Sequence, residues 1–461
     1  MGIAAVVLAA GVGKRMKSNI PKVLYPVLGK PMLDYVLGAV KGVSPARIVV
    51  VLGQGRDDVK KSLDAKGLIF VEQKVQLGTG HAANCARSVL SAFKGDILIL
   101  NGDFPLITTA SLKSLIRKHE SERADVSILT SRLENPVGYG RVVRSGKGAI
   151  EKIVEEKDAS PEQRKIDEIN SGTYCVKSGF LWEALRGIGS GNKQKEYYLT
   201  DIIGIAARRS RKIAGVQVRD SSEAMGVNDR VQLSEVESVL RKRVNDSLMR
   251  SGVTLIDPGK TYISPEVKIG VDCVIYPNTH IYGKSVIDRN SSIGPGVWIE
   301  DSVLGKNVTI KMSSYITKSL IRDDVTIGPF AHIRPEAEIM DGVKIGNFVE
   351  IKKSVIGRGS KVPHLSYVGD ALVGRDVNIG AGTITCNYDG YKKHETIIAD
   401  GVFIGSDTML VAPVKIGKGA TTGAGSTITK DVPEGALAIG RAKQTVIENW
   451  KKKPKNEKGK K

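Results

Sequence analysis

The chain has 461 residues, a formal net charge of +20 and four cysteines, a length that argues for two or three domains rather than one core. Cys85, Cys175, Cys273 and Cys386 lie far apart and form no C-x-x-C pair, which argues against a disulfide framework or a zinc site and suits a reducing compartment. No apolar run is long enough to cross a bilayer, and the apolar start Ile3–Ala10 has no basic residues before it, so it reads as a first strand of a cytoplasmic protein and not as a signal core.

The first half alternates short apolar runs with amphipathic segments. Strands are predicted at Ile3–Leu8, Ile48–Leu52, Leu68–Val71, Ile97–Leu100 and Val126–Leu129, and helices around Pro31–Val40, Asp57–Ala65, His81–Phe93 and Thr109–Glu120. Such alternation predicts a doubly wound α/β sheet whose ligands lie beyond the carboxyl ends of its strands. Residues 229–251 then become charged and helix-forming, with Val231, Leu233, Val236, Val239, Leu240, Val244 and Leu248 expected on one face of a connecting helix.

From Ile269 an aliphatic residue returns at every sixth position, through Ile275, Ile281, Ile287, Ile293 and Ile299. The phase slips by one residue to Leu304, Ile310 and Ile316, and again to Ile321, Ile327, Ile333, Ile339, Ile345 and Ile351. It resumes at Ile356, Val362, Val368, Val373 and Ile379, and later at Ile398, Ile404, Leu410, Ile416 and Ile428. A period of six fits neither a helix nor an alternating strand. It predicts a parallel β-helix in which each hexad supplies one flat side and one corner. Between Ile379 and Ile398 the rhythm breaks, and a loop over 385–397 is expected to leave the prism. The expected divisions are 1–228, a helical linker 229–251, a β-helix 252–441 and a basic, disordered tail 442–461. From Trp450 to Lys461 seven Lys stand against one Glu, read as a solvated extension in preference to a nucleic-acid arm. The remaining positive charge suits anionic small substrates and does not choose among them.

Chemistry-bearing segments stand at the predicted strand ends. Leu8-Ala9-Ala10-Gly11-Val12-Gly13-Lys14-Arg15 follows the first strand, where a Gly-rich loop lets backbone N–H groups approach phosphate. Alone it is a weak signal, being neither a Walker loop nor a dinucleotide fingerprint. Pro21-Lys22 after it strengthens it, and the pair resembles the signature of sugar-nucleotide pyrophosphorylases. Asp103 in Asn101-Gly102-Asp103 ends a buried run; in isolation it reads as a turn or cap, and beside a phosphate site as a hard ligand for Mg²⁺. Gln76-Leu77-Gly78-Thr79-Gly80-His81, Gly138-Tyr139-Gly140-Arg141, Glu155, Asn170-Ser171-Gly172 and Gly226-Val227-Asn228 follow in order. In the prism, Arg334-Pro335, Lys352-Lys353, His364-Leu365-Ser366-Tyr367, Asn378 to Gly382 and Asn387-Tyr388 cluster around the break in rhythm.

These segments, in this order over about 3–441, resemble the family of bacterial bifunctional N-acetylglucosamine-1-phosphate uridylyltransferases and glucosamine-1-phosphate acetyltransferases. The resemblance implies a Rossmann-like nucleotidyltransferase domain, a linker helix and a left-handed parallel β-helix of hexapeptide repeats. It also implies a homotrimer with acetyl-CoA bound between neighbouring prisms, and a place in peptidoglycan and lipopolysaccharide precursor supply. It assigns UDP-N-acetylglucosamine binding to Leu8, Ala9, Ala10, Gly11, Lys22, Gln73, Gln76, Gly78, Thr79, Gly140, Glu155, Asn170 and Asn228. Lys22 and Arg15 would meet phosphate oxygens, and Asp103 with Asn228 would bind Mg²⁺. It assigns glucosamine phosphate to Arg334, Lys352, Tyr367 and Asn378, and acetyl-CoA to Ala381, Asn387, Tyr388, Ser406, Ala424 and Arg441. His364 would be the general base for acetyl transfer. An isolated surface His is more often solvated than catalytic, and the match to Ser360-Lys361…His364-Leu365…Tyr367 turns that reading round. Cys386 reads as a bystander beside the alternative of an acyl-cysteine route.

Three residues depart from the family pattern. Lys14 stands for a small hydroxyl residue, Asn101 for an aromatic residue or Ser, and Glu336 for a Gly after Arg-Pro. UTP, glucosamine-1-phosphate, N-acetylglucosamine-1-phosphate and acetyl-CoA are the expected substrates, with no nucleic acid and no membrane span. The rival readings are a monofunctional pyrophosphorylase for another sugar or nucleotide carrying a regulatory β-helix, and a non-catalytic scaffold.

Overall fold

The computed structural model describes residues 2–11 and 13–451; residues 452–461, most of the predicted basic tail, lie outside the described residues. The stretch from Arg441 to Lys451 is exposed and carries neither helix nor strand. The chain divides into two compact units between Val244 and Asn245, within the helix Arg230–Arg250.

The first unit is built on a nine-stranded sheet. Its strands are β1 (Gly2–Ala9), β2 (Arg47–Leu52), β3 (Leu68–Glu72), β4 (Gly95–Asn101), β5 (Val126–Arg132), β6 (Arg141–Arg144), β7 (Ile150–Val154), β8 (Glu168–Lys177) and β9 (Ile213–Gln217). The main path runs β9-β5-β8-β4-β1-β2-β3, with β8 antiparallel to both neighbours and β6–β7 attached as a hairpin. The five strands expected from sequence are present, each a residue or more longer than its apolar run, because the ladder extends beyond the residues that must be buried. Two cores cover the sheet. Ala4, Val6, Leu8, Ile97 and Ile99 face one, and Ala5, Val7, Ala9, Leu98 and Leu100 face the other, so alternate residues of a doubly covered strand are all apolar. The predicted helix His81–Phe93 is instead two short ones, Thr79–Cys85 and Arg87–Leu90.

In this sheet β1 lies between β2 and β4, so successive connections leave it in opposite directions. That reversal opens a crevice at the carboxyl ends of β1 and β4, where an α/β sheet takes its ligand. Leu8–Gly11 and Asn101–Asp103 stand at those two ends.

The connecting helix buries Val236 and Leu240 but leaves Val231 68% exposed, so the predicted apolar face does not run its whole length.

The second unit is a three-sided parallel β-helix whose sheets hold 11, 10 and 9 strands. Ile275, Ile293, Ile310, Ile327, Ile345 and Val362 stack in register on one side, each about 0–1% exposed. Each such side chain withdraws enough apolar surface to stabilise the prism by roughly 1.5–3 kcal/mol. The slips of phase have a simple cause. Ile275 lies 18 residues from its partner Ile293, whereas Ile293 lies 17 from Ile310, so a coil takes three hexads or one residue fewer. Corners adopt the left-handed conformation, often with Asp or Asn: Asp272, Asn278, Asn290, Asn307 and Asp324 have φ between 56° and 61°.

One feature of this unit was not expected. Tyr262, His280, Trp298, Tyr315 and His332 occupy equivalent positions on successive coils and form a continuous ladder of rings, with centroids 4.7, 5.1, 5.8 and 5.4 Å apart. The loop is shorter than expected: Thr385 and Cys386 still belong to a strand and Thr396–Ile398 resume the next, so residues 387–395 alone leave the prism.

Candidate functional site

The crevice of the first unit is a cleft of about 500 Å³. Leu8, Ala9, Ala10, Gly11, Arg15, Lys22, Gln73, Gln76, Gly78, Thr79, Asp103 and Asn228 line it, as the sequence reading expects. Gly13 must be glycine: its φ is +64°, and an added Cβ would stand 2.8 Å from the Lys22 Cβ. That approach seats Lys22 in the cleft, where its Nζ pairs with an Asp103 oxygen and lies 3.4 Å from Asn228 Oδ1. The turn after β9 contributes Asn228: Val227 N–H donates to the Asp103 carbonyl at 3.0 Å and brings the next residue alongside. Gln76 Nε2 donates to the Ala10 carbonyl at 2.9 Å, tying the second loop to the first, and Gln73 Nε2 donates to the Gly78 carbonyl at 3.1 Å within the second loop.

Gly140, Glu155 and Asn170 do not line this cleft; they form a group of their own. Asn170 N–H donates to the Gly140 carbonyl at 2.9 Å, and a Cβ on Gly140 would lie 3.6 Å from Glu155 Oε2. Burial raises the Glu155 carboxyl above the ordinary range; the Thr200 hydroxyl, donating at 3.1 Å, opposes this, and Asp201, Asp158 and Glu196 add to it. Asn101 joins the two groups, lining the cleft with its amide nitrogen directly against Gly172. Lys14 also lines the cleft, so two of the three departures stand in the site itself. Glu196 lines it too and was missed, since a lone acidic residue in a Lys-rich loop carries no motif.

The second constellation lies on the prism. His364 is exposed, and its Nδ1 stands 2.7 Å from Asn347 Oδ1, the residue beside it on the preceding coil. With that oxygen as acceptor, Nδ1 carries the proton and Nε2 keeps a lone pair. Asn347 escaped the sequence reading because its link to His364 spans 17 residues. Arg334 pairs with Glu350 at 2.7 Å, and Lys352 with Asp370 at 3.4 Å. Asn387 donates to Asp370 and, at 3.3 Å, to the Tyr367 hydroxyl, so the outgoing loop is pinned to the sugar-phosphate candidates. Lys393, also missed, comes back with the loop; contact with Lys352 lowers its pKa from the ordinary lysine value. The loop is internally stapled: Asp389 accepts from Tyr391 N–H and Lys392 N–H at 2.7 Å and meets His394 Nε2 at 2.7 Å. Those two amides and His394 hold its carboxyl far below the usual range.

Ala381, Ser406 and Ala424 hold corresponding positions on successive coils, following the pairs Ile379–Ile404 and Ile404–Thr422. Arg441 Nη1 donates to the Ala424 carbonyl at 2.7 Å, extending the column. Asn378 stands beside Lys361 in the sheet that carries His364. Tyr388 is 61% exposed on the loop. Burial raises the Cys386 thiol away from the thiolate form, which agrees with a bystander role. Glu336 has φ +63°, a corner that favours glycine.

Comparison with known proteins agrees with both halves. A family model of the MobA-like NTP transferase domain matches residues 5–166, one of the GMPPB C-terminal domain matches 258–337, and the bacterial transferase hexapeptide model (six repeats) matches 395–430. Similarity to curated proteins runs nearly end to end. The bifunctional protein GlmU of Shouchella clausii is 51% identical over 97% of this chain and 98% of its own. That of Carboxydothermus hydrogenoformans is 51% identical over 97% and 99%, and that of Geotalea uraniireducens 50% over 98% and 99%. The chain belongs to the GlmU family. It is a bifunctional enzyme with a uridylyltransferase half on a Rossmann-like sheet and an acetyltransferase half on a left-handed hexapeptide β-helix. Membership along the whole length answers both rivals, the monofunctional pyrophosphorylase with a regulatory prism and the inert scaffold. No helix among the described residues is long and apolar enough to cross a membrane.

Proposed function

We propose that the enzyme acetylates the amine of glucosamine-1-phosphate from acetyl-CoA and then transfers uridylyl from UTP to the resulting N-acetylglucosamine-1-phosphate, releasing pyrophosphate. The product, UDP-N-acetylglucosamine, supplies peptidoglycan and lipopolysaccharide precursors in the cytoplasm. The convergence of Lys22, Asp103 and Asn228 at the β1–β4 crevice carries the uridylyl half of this reading.

In that half, a sugar-phosphate oxygen attacks the α-phosphorus in line. The nucleophile is already anionic, so the residues must hold two repelling anions together rather than remove a proton. Lys22 and Arg15 supply countercharge, while Leu8–Gly11, Gln73, Gln76, Gly78 and Thr79 hold the uridine nucleotide. Gly140, Glu155 and Asn170 hold the amino sugar. Asp103 and Asn228 fit Mg²⁺: both offer hard oxygens, and both already reach one cationic group, the Lys22 ammonium. Among the described residues no group of three or more His, Cys, Asp or Glu could hold a metal, so phosphates and water would complete the shell. Bound there, Mg²⁺ would neutralise phosphate charge.

In the acetyl half, the uncharged amine attacks the thioester carbonyl, His364 Nε2 accepts the amine proton and passes it to the departing sulfur as the C–S bond breaks, and CoA leaves as the thiol. Arg334, Lys352, Tyr367 and Asn378 hold the sugar phosphate, with Lys393 as an added cation. Ala381, Asn387, Tyr388, Ser406, Ala424 and Arg441 line the acetyl-CoA path.

A homotrimer of parallel prisms completes the reading. It is supported by a corner ridge next to His364, where Phe330, Phe348 and Leu365 are 44%, 55% and 61% exposed at φ of 55°, 56° and 48°. Bulky apolar residues in left-handed corners combine exposure with backbone strain, which burial against another copy offsets.

Incubating pure protein with glucosamine-1-phosphate, acetyl-CoA, UTP and Mg²⁺ tests both reactions together; UDP-N-acetylglucosamine is the expected product. A chelator should stop uridylyl transfer and spare acetyl transfer. Acetyl transfer that requires Mg²⁺ would contradict the ligand assignment.

A further inference from the structure

Asn170 and Tyr174 lie on the same strand, β8, and in a regular strand residues four apart are separated by about 13 Å. Here they touch: Asn170 Nδ2 donates to the Tyr174 hydroxyl at 2.7 Å. The register of β8 against β5 shifts between these two residues, and Gly172 inside the irregularity has φ +72°. Such a bulge bends a strand and re-aims its side chains. That φ favours glycine, and an added Cβ would also press on Asn101 Nδ2. The bend returns a second bond, from Gly172 N–H to Asn170 Oδ1 at 3.1 Å.

The Asn170 carboxamide is therefore held at both ends. Its oxygen takes the Gly172 amide and one nitrogen hydrogen goes to Tyr174, so a flip would set its nitrogen against the Gly172 N–H, a donor facing a donor. One Nδ2 hydrogen and one oxygen lone pair remain for a ligand. Tyr174 is itself fixed, 2% exposed in the middle of the sheet and opposite Ile99 and Ile128. A buried tyrosine hydroxyl needs a partner, and Asn170 supplies one. Burial, then the Glu155 carboxylate, push its ionisation far above any working pH, so the hydroxyl stays neutral.

We propose that Tyr174 is a positioning residue for uridylyl transfer: acting across the β8 bulge, it sets the orientation in which the Asn170 carboxamide meets the amino sugar. This rests on the assignment of Asn170 to the sugar. Tyr174 touches no substrate; its hydroxyl fixes where the free end of the Asn170 carboxamide lies, while the Gly172 N–H, able only to donate, decides that the oxygen is the end turned to it.

The test is steady-state uridylyl transfer by the full-length protein with Mg²⁺, UTP and N-acetylglucosamine-1-phosphate. Tyr174→Phe keeps the ring and removes the hydroxyl. It should raise KM for the sugar phosphate about tenfold while kcat and KM for UTP stay within about twofold, the pattern of lost ground-state binding. Tyr174→Leu, which also lacks the acceptor, should do the same, and the thermal unfolding of each variant compared with the parent, together with its unchanged KM for UTP, reports whether the first unit is folded. Asn170→Ala should raise the same KM at least as much, and Tyr174→Phe should add nothing in that background. If Asn170→Ala raises the sugar KM but Tyr174→Phe does not, or if the two effects multiply, the positioning role is overturned. If Asn170→Ala leaves that KM unchanged, the sugar assignment itself falls and the inference with it.

Discussion

At the scale of single residues, the two chemistries should come apart. Asp103→Ala removes a carboxylate from the crevice and should lower uridylyl transfer by about a hundredfold or more while acetyl transfer continues. His364→Ala removes the lone pair on Nε2 and should lower acetyl transfer by roughly 10²–10⁴-fold while uridylyl transfer continues. Assaying both reactions on both variants checks this; loss of both activities in one folded variant would refute the two-site reading. Glu155 makes a different prediction. Its carboxyl is raised by burial, so the folded state binds its proton more tightly than the unfolded chain. Stability therefore falls as pH rises through the window between the unfolded value, about 4.3, and the higher folded one. Glu155→Gln carries no such charge, so it should melt higher than the parent at neutral pH, with the gap closing as pH falls below that window. A gap that widened in acid would show the carboxylate to be favoured in the fold.

At the scale of elements, the hexad rhythm was legible because one inward side chain per side must be aliphatic, and it identified the prism with no other information. Ile316, fully buried, illustrates the cost of breaking it: Ile316→Ala should destabilise the second unit by about 2–5 kcal/mol, read from denaturant midpoints. The strand ends of the first unit were legible for a related reason, since a doubly covered strand is a continuous apolar run. What stayed hidden depends on neighbours a whole coil away. The ladder from Tyr262 to His332 and the pair Asn347–His364 join residues 17 or 18 positions apart, and no local pattern announces them. Trp298→Ala removes two ring stacks at once and should cost more than an isolated exposed aromatic would, at about 0.5–1.5 kcal/mol per pair beyond buried area. The group around Asn170 was legible as residues and not as geometry. The pairing of β8 with β6 brings Gly140 to Asn170, and the irregular register of β8 brings Tyr174 to it.

At the scale of the whole molecule, the assignment of uridylyl transfer to residues 1–228 predicts independence. A chain ending near Ser251 should be monomeric, keep uridylyl transfer and lack acetyl transfer. If acetyl-CoA lies between neighbouring prisms, full-length protein should sediment as a trimer and lose acetyl transfer first when driven to monomers. Charged substitutions on the ridge, such as Phe348→Glu, are the means of driving it. Sedimentation paired with both assays decides the matter, and a monomer with full acetyl transfer would refute the shared site. The family and the fold were both legible over this whole length because the diagnostic segments come in a fixed order on two distinct architectures.

The stack closes behind the segment 387–395. Ile379 pairs with Ile404 and Cys386 with Val411 as though nothing intervened. An excursion that leaves and re-enters without disturbing the rungs makes this corner a socket. Chain entropy penalises a longer insert only slowly, by about 0.6 kcal/mol per doubling of its length. Segments of different length and chemistry can therefore be exchanged at that socket while the scaffold beneath remains unaltered.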